Sequence, residues 1–221
     1  MTDQPPPLRA AIVSVTPFQQ NCTLLWCTRT MRGAFVDPGG DLPRLTAAAA
    51  QHGVTIEKLL VTHGHIDHAG QAKPLADELG VPIEGPHRDD DWLLRALGDP
   101  GHSFGLAGVP FTPDRWLVEG DTVGVGDLVL DTYETPGHTP GHVVFHHPAS
   151  NLALVGDVLF QGSVGRTDFP RSDPEALIRS IVTRLWPLGD ATAFIPGHGR
   201  PGTFAHERAH NPFVGDAALA A

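Results

Sequence analysis

Thiols are scarce in this chain: Cys22 and Cys27 are its two cysteines. Their odd separation turns them to opposite faces of one strand, so neither a disulfide nor a shared metal is expected, and both read as small buried hydrophobes. Basic residues are also few. Fifteen Lys and Arg stand against 25 Asp and Glu, a formal net charge of -10, the wrong sign for a protein whose main partner is a phosphate backbone. No nucleic-acid partner is expected. Long apolar runs are missing, so nothing reads as a bilayer span, and Met1 to Arg9 holds prolines where a secretory signal needs an apolar stretch. The expectation is a cytoplasmic protein with no membrane partner. No Gly-x-Ser-x-Gly elbow surrounds Ser163, which removes one common route to a nucleophilic hydrolase.

What is present suits a globular enzyme. Hydrophobic residues make up 41% of 221, ample for a core, and the length predicts one domain over 1–221 with residues 1–8 flexible. Strand patterns cover Ala10 to Val15, Cys22 to Thr28, Gly33 to Val36 and Ile56 to Val61. Helical patterns cover Leu42 to His52, Asp67 to Leu79 and Asp89 to Leu97. Gly98 to Pro113 breaks the pattern; base rates make it a surface connection, with a mobile flap as the alternative. Strands return at Arg115 to Val118, Thr122 to Val125, Leu128 to Tyr133, Val143 to His147 and Leu152 to Val155. A helix begins at Ser172-Asp173-Pro174-Glu175, with an N-cap and an early proline, and runs to Leu185. Ala193 to Ile195 closes the series. These counts alone reach only α/β or α+β.

The chemistry collects where strands end. Thr62-His63-Gly64-His65-Ile66-Asp67-His68-Ala69-Gly70 follows a buried strand and opens a helix. Three imidazoles and a carboxylate packed so tightly gain nothing from burial unless a cation rewards them. His and Asp without thiolate suit Zn, Fe or Mn. The same strand, turn, donor pattern recurs at Asp37, His138, Asp157 and His198. Open α/β folds gather sites at the carboxyl ends of strands. Seven donors suit two divalent ions, zinc first with iron or manganese as alternatives: His63, His65 and His138 for one, Asp67, His68 and His198 for the other, Asp157 bridging. Asp37 is either a turn-former or an acceptor that orients the donor loop, and the second reading is preferred because a donor loop follows the next strand. His142, His146, His147, His206 and His210 read as surface or hydrogen-bonded histidines.

With Asp37, His63-Gly64-His65-Ile66-Asp67-His68, His138, Asp157 and His198 in order, nearly the whole chain resembles the metallo-β-lactamase superfamily. The resemblance implies a four-layer αββα sandwich with the metals at one edge. An aspartate at 157, rather than cysteine, is similar to the glyoxalase II (hydroxyacylglutathione hydrolase) family. Phe18-Gln19-Gln20-Asn21-Cys22, Gly156-Asp157-Val158-Leu159-Phe160 and Gly162-Ser163-Val164-Gly165-Arg166-Thr167-Asp168-Phe169 fit its short bacterial relatives. That implies metal-assisted hydrolysis of a small thioester such as S-D-lactoylglutathione, with Asp157 and Asp67 as the catalytic carboxylates and Asp67 relaying a proton. The runner-up is a persulfide dioxygenase, with one iron held by the equivalents of His63, His65 or its neighbour, His138 and Asp157. Full-length glyoxalase II carries a helical domain after its last metal histidine, whereas 23 residues follow His198 here, so no glutathione site carries over. Arg166 and Arg200, the basic residues nearest the donor loops, are the candidate substrate contacts, with a salt bridge to Asp168 as the competing role for Arg166. The expectation is weak binding of glutathione thioesters and tolerance of other small ones. The oligomeric state is left open.

Overall fold

The structure, a computed structural model, describes residues 7–220, the side chain of His102 excepted. Of the segment 1–8 expected to be flexible, residues 1–6 lie outside the described residues. For the rest the expectation is corrected, because Leu8 opens the first strand and is buried.

Strands β1 (Leu8–Val15) and β2 (Gln20–Cys27) form an antiparallel pair. β3 (Arg32–Val36) joins β2 antiparallel, and β4 (Thr55–Leu60) and β5 (Ile83–Glu84) continue the sheet in parallel. The second sheet contains β6 (Thr122–Val125), β7 (Leu128–Glu134), β8 (Val143–His147) and β9 (Leu152–Gly156). A small separate hairpin, β10 (Leu159–Phe160) with β11 (Ser163–Val164), intervenes before β12 (Ala193–Pro196) and β13 (Gly202–Thr203) complete the order β13-β12-β9-β8-β7-β6.

Every residue of β2 is buried, and its alternation explains why the sheets stack. Leu25 and Cys27 face Val125, Phe145 and Leu154 of the other sheet, whereas Cys22, Leu24 and Trp26 face outward. There they meet Leu45 and Ala49 of α1 (Leu42–His52) and Leu75 of α3 (Ala72–Leu79), while α2 (Ile66–Ala69) precedes α3. A strand apolar on both faces is stable only between two layers. On the far side of the second sheet, Leu177 of α5 (Pro174–Ser180) and Phe204 of α6 (Phe204–His210) pack on Val144, Val155 and Phe194. α4 (Asp91–Ala96) lies near the donor loops and α7 (Asp216–Leu219) near the end. The layers run helix, sheet, sheet, helix, an αββα sandwich. Cys22 and Cys27 are free and buried on opposite faces. No helix among the described residues is long and apolar enough to cross a membrane.

Several elements differ from the sequence reading. The helix expected over 67–79 is two helices, parted at Gly70 and Gln71, where a Cβ on Gly70 would strike the Ile66 carbonyl. Arg115 to Val118 is not a named strand; it keeps one bridge, Glu84↔Arg115, and the ladder stops because Pro86 offers a carbonyl to Leu117 but no N–H. The helix from Pro174 widens into a π-helix over Ile181–Leu185. His146 and His147 are buried, with both ring nitrogens of His146 and Nδ1 of His147 lacking a hydrogen-bond partner, so the surface or hydrogen-bonded role expected of them is corrected. β8 is an interior strand buried along its length.

Glu207 on α6 holds the carboxyl-terminal layer in place. Buried, it accepts from Gly162 N (2.8 Å) and Asn211 Nδ2 (2.9 Å). Glu207→Ala leaves Gly162 N without its acceptor and takes one of two acceptors from Asn211 Nδ2, and is expected to lower stability by about 2 kcal/mol, read from the urea midpoint. An unchanged midpoint would show that the tie carries no stability.

Candidate metal centre

Each donor loop leaves the carboxyl end of a strand, on one edge of the sandwich: Asp37 after β3, residues 61–68 after β4, His138 after β7, Asp157 after β9 and His198 after β12. Asp37, in the left-handed region at φ 57°, accepts Thr62 N and Thr62 Oγ1, both at 2.7 Å, and stands 2.9 Å from His68 Nδ1. It acts as an orienting acceptor. The Thr62 hydroxyl gives its one proton to Asp37, so at 3.0 Å it accepts from His63 Nδ1–H. His63 therefore turns an unprotonated Nε2 inward. His138 is set the same way, its Nδ1–H donating to the Arg166 carbonyl at 2.8 Å, and so is His198, donating to the Phe18 carbonyl at 3.2 Å. Fixing the outer nitrogen selects the tautomer that presents the inner one.

Two groups result. His63 Nε2 is 3.1 Å from His65 Nδ1, which is 2.9 Å from His138 Nε2. His63 and His138 turn lone pairs toward His65 Nδ1, which completes a three-nitrogen donor set when it too is unprotonated, and nitrogens held tetrahedrally at a zinc-like distance stand roughly 3.3 Å apart. The second group is Asp67, His68 and His198, with Asp67 Oδ2 3.1 Å from His198 Nε2. Asp157 lies between them: Oδ1 is 3.4 Å from His68 Nε2, and Oδ2 is 3.6 Å from His138 Nε2 and 3.7 Å from His198 Nε2. His68 Nε2 and Asp157 Oδ1 are buried without a hydrogen-bond partner, a costly state unless a cation satisfies them. The donors fit a divalent metal. A third grouping, Asp37 with His63 and His68, is less suited, because the Asp37 oxygens are already engaged by Thr62 and His68 Nδ1.

Electrostatics keep the rings of the first group, His63, His65 and His138, in donor form. Burial, reinforced by neighbouring imidazoles, holds His63 well below its ordinary value and His65 down at about 3. Burial likewise depresses His138, against the opposing pull of Asp157. For the carboxylates burial works in the other direction and loses: His68 chiefly holds both Asp67 and Asp157 below the usual range. His68 itself is raised, since Asp157 and Asp67 outweigh its burial.

Several supporting residues escaped the sequence reading. Asp90, fully buried, accepts Gly64 N (2.9 Å), Thr139 Oγ1 (2.7 Å) and Gly141 N (2.7 Å), which binds the loop of His63 and His65 to the loop of His138. Burial pushes its carboxyl up to about 6, against those three donors. His142, as the hydrogen-bonded alternative had it, bonds Thr135 Oγ1 and accepts Asp157 N at 3.1 Å. Asn21 Nδ2 donates to the carbonyls of Pro196 and Gly199 and so fixes the turn of His198. In that turn Gly197 is required, because a Cβ would strike Asp157 Oδ1 and His68 Cε1. Asp90 sits in an acidic run and gave no signal, whereas Asn21 lies in the Phe18-Gln19-Gln20-Asn21-Cys22 motif, which marked the stretch without giving Asn21 a role.

A cavity of about 720 Å³ opens over the donors, and both expected substrate arginines border it. They differ. The Arg166 guanidinium is engaged by Asp168 through two bonds, of 2.9 and 2.6 Å, and lies over the Phe169 ring. Arg200 is exposed and has no ion-pair partner among the described residues.

A model of the family described as "Metallo-beta-lactamase superfamily" matches residues 15–198. The chain is 43% identical over 205 residues to hydroxyacylglutathione hydrolase GloC of Haemophilus influenzae, covering 92% of this chain and 96% of that one. It is 34% identical to the probable metallo-hydrolase YqgX of Bacillus subtilis, covering 80% of this chain and 85% of that one. Among solved structures, the BLEG-1 B3 metallo-beta-lactamase superposes with a TM-score of 0.86 at 30% identity, covering 93% and 99% of the two chains. TTHA1623, in a di-iron-bound form, gives 0.82 at 36%, covering 92% and 99%.

Proposed function

The chain belongs to the metallo-β-lactamase superfamily, and from that premise we propose that it is a dinuclear metal-dependent thioesterase cleaving a glutathione-type thioester, such as S-D-lactoylglutathione, to a hydroxy acid and a thiol. The observation that carries this reading is Asp157, a carboxylate placed between two three-donor groups, in a chain that is similar to a hydroxyacylglutathione hydrolase. His63, His65 and His138 would hold one ion, Asp67, His68 and His198 the other, and Asp157 both. Zinc is the first expectation; iron is supported by the relative found in a di-iron-bound form. The assigned unit is a single domain, and the compartment we assign is the cytoplasm, which suits two free cysteines.

When bound, two such cations lower the pKa of water toward neutrality and stabilise negative charge developing on a carbonyl oxygen. The protein's part is placement. Thr62, Arg166 and Phe18 fix the rings of His63, His138 and His198 through their outer nitrogens, so little reorganisation is needed on reaction. Asp67 borders the cavity and takes the proton of the attacking water on its carboxylate. Phe169, 4.9 Å from the His65 ring, screens that side from bulk water. A thiolate leaves readily, which makes a separate acid unnecessary.

Elemental analysis after purification with metal supplied is expected to give two divalent ions per chain, with turnover of S-D-lactoylglutathione lost on chelation and regained on adding metal back. One iron per chain, with oxygen uptake on glutathione persulfide, would instead establish the dioxygenase reading.

A further inference from the structure

The cavity over the donor groups is chemically lopsided. Its wall on the side of α4 is apolar: Trp92, Leu93, Ala96 and Leu97, with Ile66 beneath and Phe104 at the rim. Leu93, Leu97 and Ile66 are buried, and Phe104 is 67% exposed, a large aromatic surface left facing solvent at the mouth. Among the described residues, no charged side chain of that helix and the following loop borders the cavity: Arg95 pairs with Asp91 at 2.8 Å. Across the donors the opposite wall carries Phe18, Gln161 and Arg200, and Arg200 is the cation there without an ion-pair partner among the described residues. The other arginine, Arg166, is neutralised by Asp168.

A lactoyl group is three carbons with a hydroxyl that wants a hydrogen-bond partner, and the α4 wall offers aliphatic and aromatic carbon. Burying apolar surface against such a wall contributes in proportion to the area removed from water. Thiol carriers such as glutathione bear carboxylates, which Arg200 complements from the cavity lining; Arg171, 4.7 Å from the Trp92 ring, does not line the cavity. These two facts orient the substrate. Resting on the thioesterase reading, we propose that the acyl subsite is the α4 wall and that the preferred substrates are thioesters of straight, medium-length apolar acyl chains, with the anionic carrier held at Arg200.

The test is steady-state kinetics of the metal-loaded enzyme on propanoyl, butanoyl, hexanoyl and D-lactoyl thioesters of glutathione. The expected result is a rise in kcat/KM of about threefold per methylene from propanoyl to hexanoyl, near what a buried methylene contributes, with hexanoyl ahead of lactoyl. Phe104→Ala, at an exposed position that cannot endanger folding, should flatten the slope, and Trp92→Phe should reduce it less. Arg200→Ala should raise KM about fivefold for glutathione thioesters, and leave KM unchanged for the corresponding N-acetylcysteamine thioesters, which carry no charge. A flat or falling series with lactoyl turnover intact overturns the acyl assignment while the thioesterase reading stands. An equal KM effect of Arg200→Ala on both carriers overturns the orientation. No turnover of any thioester by a protein holding two metals overturns both readings together.

Discussion

Asp157→Ala is expected to lower kcat on thioesters by about a thousandfold and to drop the metal content below two per chain. Its two oxygens face His68 on one side and His138 and His198 on the other, at 3.4 to 3.7 Å. No other carboxylate stands between the two groups among the described residues. Removing one partner from a buried set of charges typically costs about 3–5 kcal/mol, and at 1.36 kcal/mol per power of ten that is two to four decades of rate. Asp157→Asn keeps the shape and loses the charge, so it should fall nearly as far. His210→Ala, on the exposed side of α6, is the control. Activity and metal content of Asp157→Ala close to those of the control would remove the assignment of the site.

The second large effect is expected at a residue that touches no donor ring. Asp90→Ala leaves Gly64 N, Gly141 N and the Thr139 hydroxyl without their acceptor. At about 1–3 kcal/mol for each buried unsatisfied group, partly relieved by relaxation, the melting temperature should fall by roughly 10 °C for a chain of this size. At saturating metal, kcat should fall about 10- to 100-fold, as for other groups that orient ligands indirectly. Asp90→Asn keeps one acceptor but brings an amide N–H₂ against donors, and belongs between wild type and Asp90→Ala. A melting shift under ~2 °C, with kcat intact, would show that the two loops hold their positions independently.

Why the donor loops were legible and Asp90 was not follows from where the information lies. His63, His65, Asp67 and His68 sit in one short stretch after an apolar run, and the Pro-Gly-His turns at 136–138 and 196–198 repeat the arrangement, so local chemistry was enough. The pairing of donors into groups depends on which strands are neighbours. β9 pairs in parallel with β12, which brings Asp157 and His198 together, and no local pattern encodes that register. Asp90 lies in Asp89-Asp90-Asp91, a run that reads as solvated charge; only the approach of Thr139 and Gly141 from the other sheet buries it. Asp37 was readable as one of two alternatives, and the choice rests on Thr62, whose side chain and backbone both reach it. The loss of a strand at Arg115 to Val118 follows from the missing N–H of Pro86, which matters only because that segment packs beside Leu117, and the break of the helix at Gly70 and Gln71 left no mark in the apolar pattern.

Each donor group draws on both halves of the sandwich: His63 and His65 follow the first sheet and His138 the second, and Asp67 and His68 follow the first while His198 follows the second. Cations held at these groups would therefore act as rivets through the seam between the sheets. Such a fastener ties apparent melting temperature to free metal concentration, rising as the logarithm of occupancy over affinity. It also sets the rate of metal exchange. An ion gripped from both sides departs only when the seam parts, so exchange in the resting protein should track the opening of the sandwich rather than the lability of any one imidazole.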